Sequence, residues 1–215
     1  MLINRRIFLK NASCAAAACA AAPLLGSKPA HAAGSGPKVV IVTGSPRRRG
    51  TSFLLAENFV KGAEEAGCDV FRFDAAFKRV QPCNGCDHCG LGSAPCVYKD
   101  DMLELNPRLI EADVVVLCTP LYYFGFSAQI KTIIDRFYGI NSQLYVPKRA
   151  MLIATAWNSS PDTMPALAHH YETLVNYMGW TDAGQILAIG CGTRGAAETS
   201  EFPQKAYELG RSIKA

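Results

Sequence analysis

Beyond its first 32 residues this chain of 215 residues has no apolar run long enough to span a membrane, no internal repeat and no low-complexity linker. Its first glycine-containing loop, 43–52, has no G-x-G-x-x-G and no Gly-Lys-Ser/Thr ending. Nor does it have an excess of charge once the leader is set aside. Residues 1–32 hold Arg5, Arg6, Lys10 and Lys28 and no acid, so the 22 basic residues fall to 18, against 18 acidic. Each absence excludes something. Without ~20 consecutive apolar residues the body carries no spanning helix. A neutral body gives no electrostatic case for nucleic acid or an anionic membrane surface as partner. The missing fingerprints argue against a dinucleotide or a nucleoside triphosphate in the first loop. About 180 residues without a repeat suit one domain with a full-sized core.

What is present begins with the leader. Arg5 and Arg6 precede Ile7-Phe8-Leu9-Lys10, an Ala-rich apolar run follows, and "AHAA" at 30–33 supplies small residues for cleavage. A basic start, an apolar middle and a small-residue cut site make a secretory signal. "RRIFLK" resembles the twin-arginine consensus, which implies the twin-arginine translocase as a partner and a bacterial periplasmic destination. The alternatives are an N-terminal anchor, disfavoured by Pro23, Lys28 and Pro29, and a lipoprotein cysteine at Cys19, which lacks the usual preceding Leu. The twin-arginine route exports folded chains, typically those that take up a cofactor first. A redox cofactor is therefore expected.

The body, 33–215, reads as strand–helix alternation. Apolar β-branched runs at 38–43, 69–74, 113–119, 149–156 and 185–190 mark five strands. Helical spacing covers 51–67, 127–139, 161–179 and 197–213. Between the second and third strands, Pro107 suggests a short turn over 100–105 and then a helix capped by Asn106, with one kinked helix as the alternative. Five such units predict an α/β fold, a doubly wound parallel sheet with flavodoxin-like order 2-1-3-4-5 and helices on both faces. Ligands then sit beyond the C-terminal strand ends, beside the first and third strands.

Three loops reach that edge. "TGSPRRRGTS" offers the hydroxyls of Thr43, Ser45, Thr51 and Ser52, the glycines Gly44 and Gly50, and a helix start. Backbone N–H groups and the helix dipole make such a loop a seat for a single phosphate, although a plain turn with solvated arginines has the same composition. "TPLYYFG" places aromatics where a flat apolar ring could lie, or where they are simply core. "TAWNSSPDT" brings Trp157 and Asn158 to the same edge.

Taken together, "GSPRRRGTS", "PCNGCDHCG…C…KDDM", "EADVVVLCTPLYYFGFSAQIKTIIDR" and "KRAMLIATA" resemble the flavodoxin-like NAD(P)H-dependent FMN reductases, and most closely their iron–sulfur flavoprotein branch. The resemblance covers about residues 38–156 by motif and the remainder by pattern. It implies FMN as cofactor, with its phosphate held by Ser45, Arg47, Thr51 and Ser52. The isoalloxazine would be cradled by Pro120, Leu121, Tyr122, Tyr123 and Phe124, with Thr155 and Ala156 after the fourth strand. It also implies a homo-oligomer, a dimer or tetramer, with the cysteines of one subunit near the FMN of the next. Two positions depart from the pattern. Thr51-Ser52 replaces the usual Asn-Thr, and Trp157 replaces a glycine after the fourth strand, which narrows the flavin site.

Cys83, Cys86, Cys89 and Cys96 lie in a loop spanning 82–99. Their spacing begins like the bacterial ferredoxin run that ligates a 4Fe–4S cluster, and the resemblance implies all four as ligands. Zinc, disulfides after export and free thiols are the alternatives. His88 reads as solvated, and Cys68, Cys118 and Cys191 as buried small hydrophobes. His169 and His170 read as surface, and Asp135 and Arg136 as a helix end or a subunit contact.

The function expected is an FMN-dependent oxidoreductase moving electrons between a reduced donor and a quinone, metal or protein acceptor through the cluster. A flavin carries the hard chemistry itself, so no side chain is assigned as acid or base. The alternatives are a flavodoxin-like electron carrier, a plain NAD(P)H-dependent FMN reductase without a cluster, and a cofactor-free binding relative. An exported copy lies outside the NAD(P)H pool and would draw on a protein or quinol donor.

Overall fold

A computed structural model describes residues 36–214. The leader features, from Arg5 and Arg6 to the cut site at 30–33, lie outside the described residues. Five strands, β1 (Lys38–Thr43), β2 (Asp69–Asp74), β3 (Val114–Pro120), β4 (Arg149–Thr155) and β5 (Thr181–Ala188), form one sheet in the order β2-β1-β3-β4-β5. Every pairing is parallel. This is the expected doubly wound arrangement.

The three central strands are buried almost throughout, which is why they read as unbroken apolar runs. Alternate residues feed opposite faces. Val39 and Ile41 of β1 pack with α1 (Thr51–Glu65), while Val40 and Val42 pack with α2 (Met102–Glu111) and α3 (Ala128–Arg136). The second face is completed by α4 (Asn141–Leu144) and α5 (Pro165–Tyr177), through Leu144, Leu167 and Tyr171. The first is completed by α6 (Arg194–Glu198) and α7 (Phe202–Arg211). Contact between α1 and α7 depends on glycine. A Cβ at Gly62 would sit 2.1 Å from the Tyr207 carbonyl oxygen, and one at Gly210 2.2 Å from that of Phe59.

Three element boundaries differ from the sequence expectation. Residues 102–111 form one helix with Pro107 inside it, not a turn followed by a helix capped at Asn106. Burial of Met102, Leu105 and Leu109 along one face holds both halves together against a proline cost of about 3 kcal/mol, and Asn106 Oδ1 is left buried without a hydrogen-bond partner. Strand β5 starts at Thr181, four residues before the apolar run. Its first residues are exposed at the sheet edge and carry no apolar signal. The C-terminal helix is divided between α6 and α7. No helix among the described residues is long and apolar enough to cross a membrane.

Candidate functional site

The loops after β1, β3, β4 and β5 enclose a cavity of about 470 Å³ at the C-terminal edge of the sheet. Its floor is made of hydroxyls. Ser52 Oγ and Thr155 Oγ1 are 2.7 Å apart, and Thr51 Oγ1 donates to Thr155 Oγ1 at 3.4 Å. Ser45, Ser52 and Thr155 are buried, so these groups are held rather than solvated. Ser45 Oγ accepts from the Arg47 N–H at 3.2 Å, which shapes the turn of the first loop. Helix α1 opens at Gly50 with no side-chain cap. The first-turn N–H groups and the positive end of the helix dipole therefore meet the cavity. Arg47, Arg49 and Arg194 line it as well. This is a seat for an anion.

The opposite wall is apolar. Pro120 and Leu121 are fixed by the Leu121 N–H to Thr155 carbonyl bond of 2.8 Å, which joins the second and third loops. Ser127 links the first two, its Oγ donating to the Gly44 carbonyl at 3.3 Å and its N–H to Thr119 Oγ1 at 3.0 Å. Beyond Tyr122 the chain reverses through Tyr123 and Phe124 at φ of 47° and 63°, closed by reciprocal hydrogen bonds between Tyr122 and Gly125. Two bulky residues in the left-handed region cost about 1–2 kcal/mol each, and such strain gathers at functional edges. Trp157 lines the cavity, stays 78% exposed, and lies against Gly192, where a Cβ would meet its ring at 2.7 Å.

Of the eleven residues that the family resemblance implies for FMN, nine meet here, all but the tip of the turn after β3. Ser45, Arg47, Thr51, Ser52, Pro120, Leu121, Tyr122, Thr155 and Ala156 line one cavity. Tyr123 and Phe124 stand outside it and are exposed. The sequence reading did not anticipate Arg49 or the loop after β5, whose Cys191, Gly192, Thr193 and Arg194 close the cavity. Cys191 is buried, as expected, yet borders the site. Cys118 lies beneath the floor, its Sγ donating to the Ser52 carbonyl at 3.3 Å, and burial pushes its thiol up to about 12.

The cysteine loop is a separate feature. Cys83 and Cys86 are exposed, Cys96 is half-buried and Cys89 is buried. The Cys89 carbonyl accepts from Gly92, Ala94 and Ser93, so the chain winds around this residue. Burial first, and then the neighbouring sulfur of Cys96, with smaller effects from Cys83 and Cys86, push the Cys89 thiol up. A Cβ at Gly139 would stand 3.7 Å from Cys96 Cβ and 4.0 Å from Cys89 Sγ, so glycine there leaves room for both cysteines. Tyr138 donates to Asp87 Oδ1 at 2.5 Å on the same corner. The base of the loop is closed by Arg136, the last residue of α3, as the helix-end reading expects, with its side chain buried within the chain. Its Nη1 donates to Asp100 Oδ2 at 2.6 Å and to the Gln81 carbonyl at 2.8 Å. Asp135 pairs instead with Lys131 on the exposed side. His169 and His88 are exposed, while His170 is half-buried, edge-on to Phe126 at 5.1 Å.

Residues 37–194 match the NADPH-dependent FMN reductase family. The chain belongs to that family. An iron–sulfur flavoprotein of Archaeoglobus fulgidus is 31% identical over 178 residues, covering 82% of this chain and 78% of the relative. A second iron–sulfur flavoprotein of that organism is 44% identical over 98 residues, 46% of this chain and 49% of its own length. The chain thus spans about half the length of some of the curated relatives it matches. Among solved structures, an NAD(P)H:quinone oxidoreductase from Methanothermobacter marburgensis shares the fold, with a TM-score of 0.67, 19% identity, and coverage of 84% of this chain and 97% of that one.

FMN-dependent redox chemistry is what membership of the FMN reductase family carries. The residues present fit that cofactor. An uncapped helix start, buried hydroxyls and arginines suit its phosphate, and an apolar wall beside Trp157 suits its ring. The loop cysteines fit a cluster in donor chemistry, since four thiols share one neighbourhood and the glycines at 85, 90 and 92 have positive φ. Among the described residues no three His, Cys, Asp or Glu side chains are drawn close enough to hold a metal ion.

Proposed function

We propose that this chain is an FMN-dependent oxidoreductase that moves electrons between a reduced donor and a quinone, metal-ion or protein acceptor, with a 4Fe–4S cluster on Cys83, Cys86, Cys89 and Cys96. The observation that carries the flavin half is the cavity itself: a hydroxyl floor and an uncapped helix N-terminus at one side, an apolar wall at the other, at the C-terminal edge of a parallel sheet. Ser45, Arg47, Thr51 and Ser52 would hold the phosphate. Pro120, Leu121 and Tyr122, with Thr155 and Ala156, would hold the ring, and Tyr123 and Phe124 would stand over its edge. The chemistry that FMN supplies when bound is transfer of hydride or electrons. The protein's own part is to exclude water from the ring, fix its orientation and neutralise the phosphate.

The cluster half is supported by the four thiols of one loop, by their ferredoxin-like spacing and by relatives named as iron–sulfur flavoproteins. Export through the twin-arginine translocase to the periplasm is supported by "RRIFLK" and the small-residue cut site. In that compartment the donor would be a protein or a quinol rather than NAD(P)H. A homo-oligomer, dimer or tetramer, is supported by the aromatic rim of Tyr122, Tyr123, Phe124 and Trp157, which is exposed on a single chain.

Anaerobic steady-state assays with NADPH, NADH and a reduced quinol, each against a quinone and a ferric acceptor, test the reading. Repeated turnover with at least one pair is expected. Reduction that stops after one equivalent of bound flavin would make the chain an electron carrier instead.

A further inference from the structure

The cysteine loop contains little regular structure of its own, a single 3-10 turn at Gly90–Gly92. Something must fix where it leaves and rejoins the fold. The Asp100 carboxylate accepts from the Gln81 N–H at 2.9 Å, the Met102 N–H at 3.2 Å and both terminal nitrogens of Arg136 at 2.6 and 3.2 Å. Arg136 in turn donates to the Gln81 carbonyl at 2.8 Å. Gln81 lies just before Cys83 and Asp100 just after Cys96, so one ion pair ties both ends of the loop to the end of α3. Next to it, Arg79 and Asp101 exchange two more hydrogen bonds, at 2.7 and 3.0 Å.

The pair is out of water, with side chains 3% and 9% exposed. Tyr98 covers the guanidinium at 5.1 Å, and Cys96 lines the same hollow of about 290 Å³. A buried ion pair adds little net stability compared with packed hydrophobes, and its best-attested use is to fix register. Lysine could supply the charge but not the two-pronged geometry that reaches the carboxylate and a carbonyl together.

We propose that Arg136 and Asp100 are positioning residues, a latch that closes the cysteine loop at its base and sets Cys96 beside Cys89. The last step, assembly of a cluster on the closed loop, rests on the function proposed above. Closure of the loop does not.

The test uses the full chain, reduced and free of metal, as wild type, Arg136→Met, Arg136→Lys and Lys131→Met. The last removes the exposed pair on the same helix and serves as control. Amide hydrogen exchange is followed in peptides covering 79–101 and in the five strands. Iron and sulfide per chain are then measured after anaerobic reconstitution. In Arg136→Met, exchange over 79–101 should rise roughly 100-fold while the strands keep their protection. Arg136→Lys should give a rise of about tenfold, and reconstituted iron should fall in the same order. Lys131→Met should match wild type. If Arg136→Met does not fold, the lysine variant carries the same readout.

Unchanged exchange over 79–101 would overturn the latch, as would an increase shared equally by loop and strands. Wild type that closes its loop but takes up no iron would overturn the cluster and leave the latch standing. Iron uptake with no change in loop exchange across the variants would do the reverse.

Discussion

The flavin end and the cysteine loop are two sites built in opposite ways. At the flavin end, four loops are bound to one another by backbone and hydroxyl hydrogen bonds, and two of the hydroxyls that would meet a phosphate, on Ser45 and Ser52, are already buried. In the cysteine loop the fixed part is the base, while Cys83 and Cys86 at the far side are exposed. The first site is organised before its ligand arrives. In the second, among the described residues, no three donors are drawn close enough to hold a metal ion, although its base is fixed. The cysteines report the same contrast, since Cys118 is sealed beneath the floor of one site and Cys83 and Cys86 face water in the other.

The largest difference between the two regions is expected in thiol alkylation. With the metal-free, reduced protein at pH 8, Cys118 should label at least about a thousandfold more slowly than a free thiol, because its pKa is pushed up to about 12 by burial. Labelling would rise only as pH approaches that value. Cys83 and Cys86 should label first, read out by peptide mass spectrometry against time. Fast labelling of Cys118 would mean that the floor opens.

Removing one loop thiol should have the next largest effect. Cys86→Ala is expected to lower iron from about four per chain to less than about one, with FMN content unchanged. Equal loss of flavin would show that the two sites are not independent. A smaller change is expected at the flavin end. Ser52→Ala removes one hydroxyl and leaves Thr155 with its longer contact to Thr51, and it should weaken FMN binding by about tenfold. Fluorescence titration measures it, and reconstituted iron should not move.

The contrast also explains what the sequence made legible. Central strands announce themselves because burial on both faces leaves only apolar residues, and once their order is inferred the ligand edge follows from topology. That argument alone places Ser45, Thr51, Ser52, Pro120 and Thr155 together. The loop after β5 obeys the same rule but is harder to read, because the strand opens with the exposed Thr181 and Asp182 and the half-buried Ala183 and Gly184, and the apolar run 185–190 passes its end at Ala188. "GCGTRG" at 190–195, between the end of β5 and the start of α6, is the signal in the sequence that points to Cys191, Thr193 and Arg194. The reversal at Tyr123 and Phe124 could not be read, since neither residue type favours positive φ, and the pairing of Tyr122 with Gly125 that closes it leaves no mark in the sequence. Nor could the role of Arg136. An "IIDR" helix end gives no sign that its arginine turns inward to an aspartate 36 residues earlier. Long-range polar contacts leave no periodic trace.

The most direct measurement is the joint content of FMN, iron and sulfide in the protein purified without oxygen. One FMN and about four irons per chain, with matching sulfide, are predicted. Flavin with neither iron nor sulfide would contradict the assignment of the four cysteines.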